Sequence, residues 1–432
     1  MKNTACKIVP RSRKKNLGSC VLLATLLLGS VLVNADVVLD WNAIAVDTAI
    51  ANGTNPFAQA RYMAMVQLAV FEAVNSIKGE YKPYLGTITA PARASAEAAA
   101  AQAAHDVLFQ SFKNSQVTLD QQLAATLALI PDGQAKQDGI AVGKAAAAAI
   151  LALRANDGSA PLTFYTPGPP DPGAYQATPS CPVFNGVAKG AFFNWQNMTP
   201  FGIPDAHAFL LPPPPALTSN LYAKAYNEVM TVGSLNSTER PVDRANVVLY
   251  YEVSTPAQVF NQAARQVALE RYHSLSENAR ALALINMAIS DSFVAAFYNK
   301  YYYVFWRPET AIHGGDTDGN RKTEADPNYS PFIVTPCFPS YPSNHGSGSG
   351  GAAEVMRRLY GEVGHLITLS NPAVPGIVLQ YSSFKQITDD ISDARVYGGI
   401  HFRTDQDAGS TLGRAVGTTV YKHNLRPVHD DE

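Results

Sequence analysis

Apolar residues recur at helical spacing through most of this chain of 432 residues. Between Ala60 and Ala73 they follow one another at spacings of one to three, which predicts a buried helix over residues 56–77. Similar patterns predict further helices at residues 92–113, 119–129, 134–155, 218–232, 241–253, 256–273, 276–305, 345–360, 378–395 and 403–421. No alternation of apolar and polar residues is long enough to predict a sheet, so the pattern predicts an all-α helical bundle.

Residues 156–215 break the helical pattern with prolines, glycines and aromatic residues. Proline does not fit inside long helices or central strands, so this stretch predicts a long Pro-rich loop. Its aromatic side chains, among them Trp195, favour an ordered loop that wraps the helical body. We therefore expect a signal segment at 1–35, an N-terminal helical region at 36–274 that contains the loop, and a C-terminal catalytic region at 275–432.

The first 35 residues have the pattern of a secretory signal peptide. Basic residues precede an apolar run from Val21 to Val33, and the run is followed by Asn34 and Ala35, where a signal peptidase would cut. The run of about 13 residues is shorter than the roughly 20 of a membrane anchor, the other interpretation of such a segment. We expect no later stretch to be apolar over enough residues to cross a bilayer, so we predict a secreted or periplasmic protein without stable membrane insertion.

Composition narrows the function classes further. The formal net charge of -2 lacks the basic excess of a nucleic-acid-binding surface, which argues against nucleic acid as a partner. After the signal segment the chain keeps Cys181 and Cys337, and an oxidising compartment permits a disulfide between them. The sequence leaves open whether their geometry fits. Any cluster of cations in this near-neutral chain is local and needs a local anion.

Two cations lie in an aromatic stretch near residue 300. Lys300 and Arg307 are seven residues apart, which is two turns, so both side chains would reach one point if a single helix carries them up to Pro308. A solvated basic face is the ordinary interpretation of this spacing. Here, however, the cations alternate with tyrosines, Phe305 and Trp306, which we expect to be buried, and buried cations need a counter-charge.

A second motif, Ser343-Asn344-His345-Gly346, follows two prolines and precedes a helix rich in glycine and alanine. It places a hydroxyl and free backbone N–H groups at a helix N-terminus, where the helix dipole attracts anions. The alternative is that Ser343 only caps the helix, which is the commoner role of serine at such a position.

A third motif lies near the C-terminus. Arg395 and His401 flank Gly398 and Gly399, which break the helix, and His401 and Asp405 are four residues apart on the next predicted helix. That spacing lets the carboxylate accept the second ring N–H and fix the tautomer, although a single histidine is more often a core residue. Together, the three cations, the hydroxyl, the free amides and the two histidines suit a tetrahedral oxyanion such as phosphate or vanadate.

The order and spacing of these motifs resemble the three-part signature of the vanadium-dependent haloperoxidase and type 2 phosphatidic-acid phosphatase superfamily. The matching positions are Lys300-x6-Arg307-Pro308, Pro342-Ser343-Asn344-His345 and Arg395-x5-His401-x3-Asp405. Residues 41–75 also look like the N-terminal helix of secreted haloperoxidase-like members. The resemblance implies a helical bundle of the acid phosphatase and vanadium-dependent haloperoxidase type.

The resemblance also implies a cofactor and its substrates. The cofactor would be vanadate, and hydrogen peroxide would oxidise halide to hypohalous acid, with an organic acceptor as a further candidate partner. Lys300, Arg307 and Arg395 would bind the equatorial oxygens of vanadate, with help from the Ser343 hydroxyl and the Asn344 amide.

The same resemblance divides roles between the two histidines. His401 would bond vanadium directly as the metal ligand, and His345 would be the acid–base residue beside the apical oxygen. Lys300 would also polarise peroxide, and Asp405 would orient His401. Phe338 matches a position that looks aromatic in chloride-oxidising members.

Two positions depart from the family pattern, which usually has glycine at Asn344 and serine at Ala394. Asparagine tolerates a left-handed backbone, so its amide can still face the anion, but its side chain would crowd the peroxide or halide side. Ala394 removes only a hydroxyl that orients Arg395. Two alternatives stay open: a phosphatase that works through a phosphohistidine at His401, with His345 protonating the leaving alcohol, and a non-catalytic oxyanion-binding protein.

Overall fold

The helical pattern of the sequence folds into a bundle around one long central helix. The computed structural model describes residues 36–429, so the proposed signal segment lies outside the described residues. Within the described part there are thirteen α-helices: α1 (Val37–Ala51), α2 (Pro56–Lys78), α3 (Ala96–Ser111), α4 (Gln116–Ala128), α5 (Gln134–Leu153), α6 (Asn220–Gly233), α7 (Val242–Val253), α8 (Pro256–Glu270), α9 (Leu275–Tyr303), α10 (Pro308–His313), α11 (Asn344–Tyr360), α12 (Phe384–Tyr397) and α13 (Arg403–His423). The predicted all-α class is confirmed.

Helix α9 is the centre of the core, and it packs against α2, α11 and α13. Ser274 caps its N-terminus by accepting the Glu277 N–H, while the Glu277 carboxylate accepts the Ser274 N–H. This reciprocal capping box makes Ser274 the N-cap, so α9 begins at Leu275, one residue before the predicted start at 276.

Helix α9 is also long and apolar enough to cross a membrane, which corrects the expectation that no later stretch has this character. Inside the protein, however, 94% of its most apolar window is buried. A soluble protein's central helix has the same composition, because it is surrounded by other helices on every side.

Helices α11 and α13 approach each other through glycines. Gly409 lies against the backbone of Ser343, and Gly413 lies against that of Ser347, so a β-carbon at either glycine would clash with α11. The N-termini of the two helices therefore lie side by side, and the Ser343 N–H donates to the Asp405 carbonyl at 2.9 Å. This close packing brings the second and third sequence motifs together.

The Pro-rich loop is ordered, as predicted, because it buries Trp195 and Phe201 against the helices. Asp291 of α9 holds it in place by accepting the N–H groups of Phe201, Gly202 and Ile203 at 2.6, 2.6 and 3.0 Å. A buried carboxylate thus fixes the path of the loop.

The loop also contains a two-stranded hairpin, β1 (Val183–Phe184) and β2 (Val187–Ala188), and it is joined to the C-terminal region by a disulfide. Cys181 and Cys337 form this bridge, with their Cα atoms 5.2 Å apart, which settles the question that the sequence left open. The boundary proposed between 36–274 and 275–432 stays a prediction.

A second hairpin corrects one predicted helix. Strands β3 (Val363–Ser370) and β4 (Val378–Ser383) pair antiparallel, so the helix predicted at 378–395 begins only after β4, where Ser383 caps α12. Along β3 the side chains alternate between core and solvent, with Ile367 and Leu369 buried. This alternation was missed because it is short and because strand formation depends on side-chain packing more than on local sequence preference.

Candidate active site

Lys300 lies in the last turn of α9 and is fully buried. Its Nζ donates to the Pro339 carbonyl at 2.7 Å and to the Ser340 carbonyl at 2.8 Å, and it lies 5.2 Å from the centre of the Phe338 ring. Burial and the nearby Arg307 hold the pKa of Lys300 well below its usual 10.5. The segment after the disulfide therefore fixes this cation through its backbone.

Arg307 does not lie on α9, so the prediction of one helix that carries both cations was wrong. Val304 takes a left-handed conformation, with φ 48°, and α9 ends at Tyr303, which leaves Arg307 as the N-cap residue of α10. Its Nε donates to the Phe338 carbonyl at 2.8 Å, and its Nη1 donates to the Ile400 carbonyl at 2.9 Å. Burial lowers the pKa of Arg307 to about 10.

Ser343 caps α11, since its Oγ accepts the Gly346 N–H at 3.2 Å. Asn344 is the first residue of the helix and is 3% exposed, and neither atom of its side-chain amide has a hydrogen-bond partner in residues 36–429. Its φ angle is not positive, so the left-handed backbone considered from the sequence is not needed here.

Arg395 lies near the end of α12 and is 5% exposed. Its Nη1 donates to the Tyr251 carbonyl at 3.3 Å. Burial is the main cause that lowers the pKa of Arg395 to about 9, and the positive charge of Arg307 is the next. Beyond it, Gly399 has φ 81° and packs against the backbone of Gly233, where a β-carbon would clash, and this turn leads the chain back toward α13.

His401 was predicted to lie on the same helix as Asp405. It lies instead in the turn before α13, but its side chain still contacts Asp405. Its Nδ1 is 2.9 Å from Asp405 Oδ2, and its Nε2 is 3.0 Å from Arg307 Nη1. A carboxylate accepts and a guanidinium donates, so these partners assign the proton to Nδ1 and the lone pair to Nε2. Burial and the nearby cations hold the pKa of His401 well below 6.5, so the ring is neutral.

Ser340, which the sequence analysis did not single out, completes this pair. Its Oγ donates to Asp405 Oδ2 at 2.6 Å and lies 3.4 Å from His401 Nδ1. The Phe402 N–H donates to the same carboxylate oxygen at 3.1 Å. Burial nevertheless raises the pKa of Asp405 to about 6. The sequence signal that could have identified Ser340 is its position between Pro339 and Pro342, directly before the second motif.

His345 follows Asn344 in the first turn of α11 and is partly exposed, whereas His401 is 2% exposed. Removal of water from its ring, with the charges of the three site cations, lowers the pKa of His345 well below 6.5. Both histidines are therefore neutral, and the one with greater access to solvent is His345.

Phe338 packs beneath two of the cations. Its ring centre is 5.2 Å from Lys300 Nζ and 5.0 Å from the guanidinium carbon of Arg307, distances at which the ring face attracts cations. The same ring meets Phe297 of α9 and Phe57 of α2, with centroids 5.4 and 5.7 Å away. The N-terminal helices thus reach the site through this aromatic cluster.

The site has an excess of buried positive charge. Lys300, Arg307 and Arg395 are buried together with one carboxylate, Asp405. Arg307 Nη2 and Arg395 Nε have no hydrogen-bond partner among the described residues, although buried donors are rarely left unpaired. Unpaired donors on like-charged groups, next to the Nε2 lone pair of His401, fit a tetrahedral oxyanion such as vanadate.

Comparison with known proteins supports a specific relationship. Residues 280–430 match the family model described as the VCPO second helical-bundle domain. A vanadium chloroperoxidase of Curvularia inaequalis is 28% identical over 185 residues, which span 35% of this chain and 30% of that protein. The chain is related to the vanadium haloperoxidases.

Solved structures of vanadium haloperoxidases extend the likeness over the rest of the fold. A bacterial vanadium-dependent iodoperoxidase aligns with a TM-score of 0.77 at 23% identity, over 92% of this chain and 98% of its own. An apo bacterial vanadium-dependent chloroperoxidase aligns with a TM-score of 0.70 at 18% identity, over 84% of this chain and 93% of its own. The resemblance inferred from the motifs is confirmed, and the haloperoxidase fold includes the N-terminal helices.

Proposed function

We propose that this protein is a vanadate-dependent haloperoxidase, which uses hydrogen peroxide to oxidise halide to hypohalous acid. The observation that carries the proposal is the pair of unpaired guanidinium nitrogens, on Arg307 and Arg395, beside the neutral His401. Proteins named vanadium chloroperoxidase and iodoperoxidase are among its relatives. Bound vanadate would supply Lewis acidity toward peroxide without changing its oxidation state.

In this proposal the cations and the helix terminus hold the oxyanion. Lys300, Arg307 and Arg395 neutralise its oxygens, and the two guanidinium groups supply hydrogen bonds in a planar fork. Ser343 Oγ accepts the cap N–H with a lone pair, so its own proton remains available to donate to the ligand. The backbone N–H of Asn344 adds a donor at the positive end of α11.

The histidines have different tasks in this proposal. Asp405 holds the proton on Nδ1 of His401, so the lone pair is on Nε2. Nε2 would be the atom that bonds the central atom, in place of the Arg307 N–H that it accepts in this structure. His345, with its lowered pKa and partial exposure, would take up and return a proton at an oxygen of the bound group. Lys300 gives two N–H groups to carbonyls and keeps a third, which it can donate to a peroxide oxygen.

We also propose that residues 1–35 are removed and that the mature protein acts outside the cytoplasm. The disulfide of Cys181 with Cys337 is consistent with an oxidising compartment. Intact-mass measurement of the exported protein should give a chain that begins at Asp36. A cytoplasmic, full-length product would contradict this part of the proposal.

Halogenation with and without vanadate tests the function. Protein loaded with orthovanadate should brominate a phenol-red-type acceptor in the presence of peroxide and bromide, well above the vanadate-free sample. Equal rates would contradict the proposal. Hydrolysis of p-nitrophenyl phosphate by the vanadate-free protein, inhibited by vanadate, would indicate the phosphatase alternative, and tight vanadate binding without either activity would indicate an oxyanion-binding protein.

A pair of arginine variants sharpens the test. Arg395→Ala removes a buried site cation, whereas Arg414→Ala removes an exposed arginine on α13 that bonds only nearby hydroxyls. We expect vanadate-dependent halogenation to be lost in the first variant and kept in the second. Equal loss in both would mean that general charge, rather than the site, supports the activity.

A further inference from the structure

Asn344 has a polar side chain, although its backbone conformation does not require asparagine. The residue has no positive φ and lies in the first turn of α11. Its side chain is buried, and both Nδ2 and Oδ1 lack a partner within the described chain. An amide left unpaired at both ends lowers stability. What sets Asn344 apart from the other such amides in the described chain, Gln67 and Gln406, is its place between Ser343 and His345.

The neighbours of Asn344 belong to the site. Ser343 precedes it as the helix cap, and His345 follows it, with a pKa that is lowered by burial and then by the three buried cations. The cations can only donate hydrogen bonds. The Asn344 side chain differs from them because it offers a donor and an acceptor side by side.

We propose that the Asn344 side chain binds a protonated oxygen of the tetrahedral ligand. Oδ1 accepts the hydrogen of an X–O–H group, and Nδ2 donates to an oxygen of the same ligand. The inference deepens the proposed function and rests on its oxyanion site. It assigns the site to hydrogen-bearing oxyanions, the chemical class to which vanadate and phosphate belong.

Selectivity follows from the acceptor. Phosphate and vanadate keep at least one proton near neutral pH, whereas sulfate keeps none. Opposite sulfate, Oδ1 would face a bare oxygen, and two acceptors in contact repel each other and lose their water. The site should therefore prefer phosphate to sulfate, although both are tetrahedral and both are attracted by the cations.

Calorimetric titration of the vanadate-free protein with phosphate and with sulfate, at pH 7.5 and constant ionic strength, measures this preference. We expect the parent to bind phosphate at least about tenfold more tightly than sulfate. Asn344→Gly and Asn344→Leu should keep anion binding, because the cations remain, but should reduce the ratio of the two affinities about tenfold. An unchanged ratio in both variants would overturn the proposal.

Two controls separate this effect from other causes. Gln406 on α13 is a second buried amide with both atoms unpaired, and it lies against Gly346, so Gln406→Leu should leave the ratio unchanged. His345 carries a further neutral acceptor and is the next residue in the chain, and in His345→Ala the preference for phosphate should persist. Loss of the preference in either control, with Asn344→Gly unchanged, would overturn the assignment to Asn344.

Failure of the proposed function would have a different signature. If the parent bound neither phosphate nor vanadate, the oxyanion site and this inference would both be wrong. If the parent showed vanadate-dependent halogenation but bound phosphate and sulfate equally, only the role of Asn344 would be wrong.

Discussion

Two carboxylates, Asp291 in the core and Asp405 in the site, show how a structural charge differs from a functional one. Both are fully buried, and burial raises the pKa of each to about 6. Both carboxylate oxygens of Asp291 accept hydrogen bonds from backbone N–H groups of residues 201–203. Asp405 shares one oxygen with His401 and leaves Oδ1 without a partner in the described residues. The first carboxylate fixes a loop, and the second orients a group that can act on a ligand.

An unpaired buried atom alone does not identify a site. Gln67, in the core, also has an amide without partners among the described residues. What distinguishes the region around Asp405 is the sign and the number of charges, because Arg307 and Arg395 leave donors unpaired where positive charge is already in excess. Unpaired donors combined with excess positive charge favour the binding of an anion, whereas an unpaired amide alone does not.

The largest effect is expected from the structural carboxylate. Asp291→Ala leaves three buried N–H groups without their acceptor and should lower the free energy of unfolding by about 3–5 kcal/mol. Urea unfolding measures this loss. Phosphate affinity of the protein that remains folded should stay within about twofold of the parent. A large loss of affinity with unchanged stability would reverse the roles that we assign to Asp291 and Asp405.

The site should respond in the opposite way. His401→Ala removes the proposed bond to the central atom and should lower vanadate affinity at least about a hundredfold, or about 2.7 kcal/mol, with a smaller effect on stability. His345→Ala should keep vanadate affinity within a few-fold and lose halogenation. Equilibrium dialysis and initial rates measure the two properties. Equal vanadate affinity in His401→Ala and the parent would refute this division.

The pH dependence of stability follows from the raised pKa of Asp405. The folded chain holds this proton more tightly than the unfolded chain, in which the carboxyl titrates near 4. Its contribution to stability is therefore complete below about pH 4 and is lost as the pH rises through about 6. Relative to Asp405→Asn, the parent should lose up to about 1.4 kcal/mol per pH unit in this range.

Urea unfolding at several pH values, in buffer without phosphate, tests this difference. Asp291 titrates in both proteins, so its contribution cancels when the two curves are subtracted. Parallel curves for the parent and Asp405→Asn would mean that Asp405 does not titrate between pH 4 and 6.

The sequence predicted helices well where one face or the whole helix is buried, as in α2 and α5. It failed at the end of α9, because Val304 adopts a left-handed conformation that β-branched residues disfavour. The Val304 carbonyl there accepts the Tyr175 N–H of the Pro-rich loop at 2.8 Å, a contact that the local sequence does not reveal. The side chains of Lys300 and Arg307 do lie close to the Phe338 ring, as one continuous helix would have allowed. The non-helical segment between α9 and α10 brings them together instead.

Non-local contacts account for the other differences. The strands β3 and β4 pair with each other as a hairpin, but which of their side chains are buried depends on the helices they pack against. Ser340 bonds Asp405 across 65 residues, so its role became visible only in three dimensions. Conversely, the spacing of His401 and Asp405 sufficed for their contact to be predicted, because the turn before α13 still allows it.

The smallest of the predicted effects concerns Ser340, and it separates orientation of His401 from bonding to the ligand. Ser340→Ala removes the hydrogen bond that lowers the pKa of Asp405, so that pKa should rise further. A hydrogen bond to a charged group contributes about 1.5–3 kcal/mol, only part of which reaches the ligand through His401. Vanadate affinity should therefore fall about fivefold to tenfold, less than in His401→Ala.

The pH dependence of that loss distinguishes a positioning role from general damage to the fold. Dialysis at pH 6 and pH 8 should show a larger loss of vanadate affinity at pH 6, because more of Asp405 is protonated in Ser340→Ala and its hold on Nδ1 of His401 weakens. Ser340→Thr keeps the hydroxyl and should recover most of the affinity at both pH values. An equal loss at pH 6 and pH 8 would mean that Ser340 supports packing and does not tune the carboxylate.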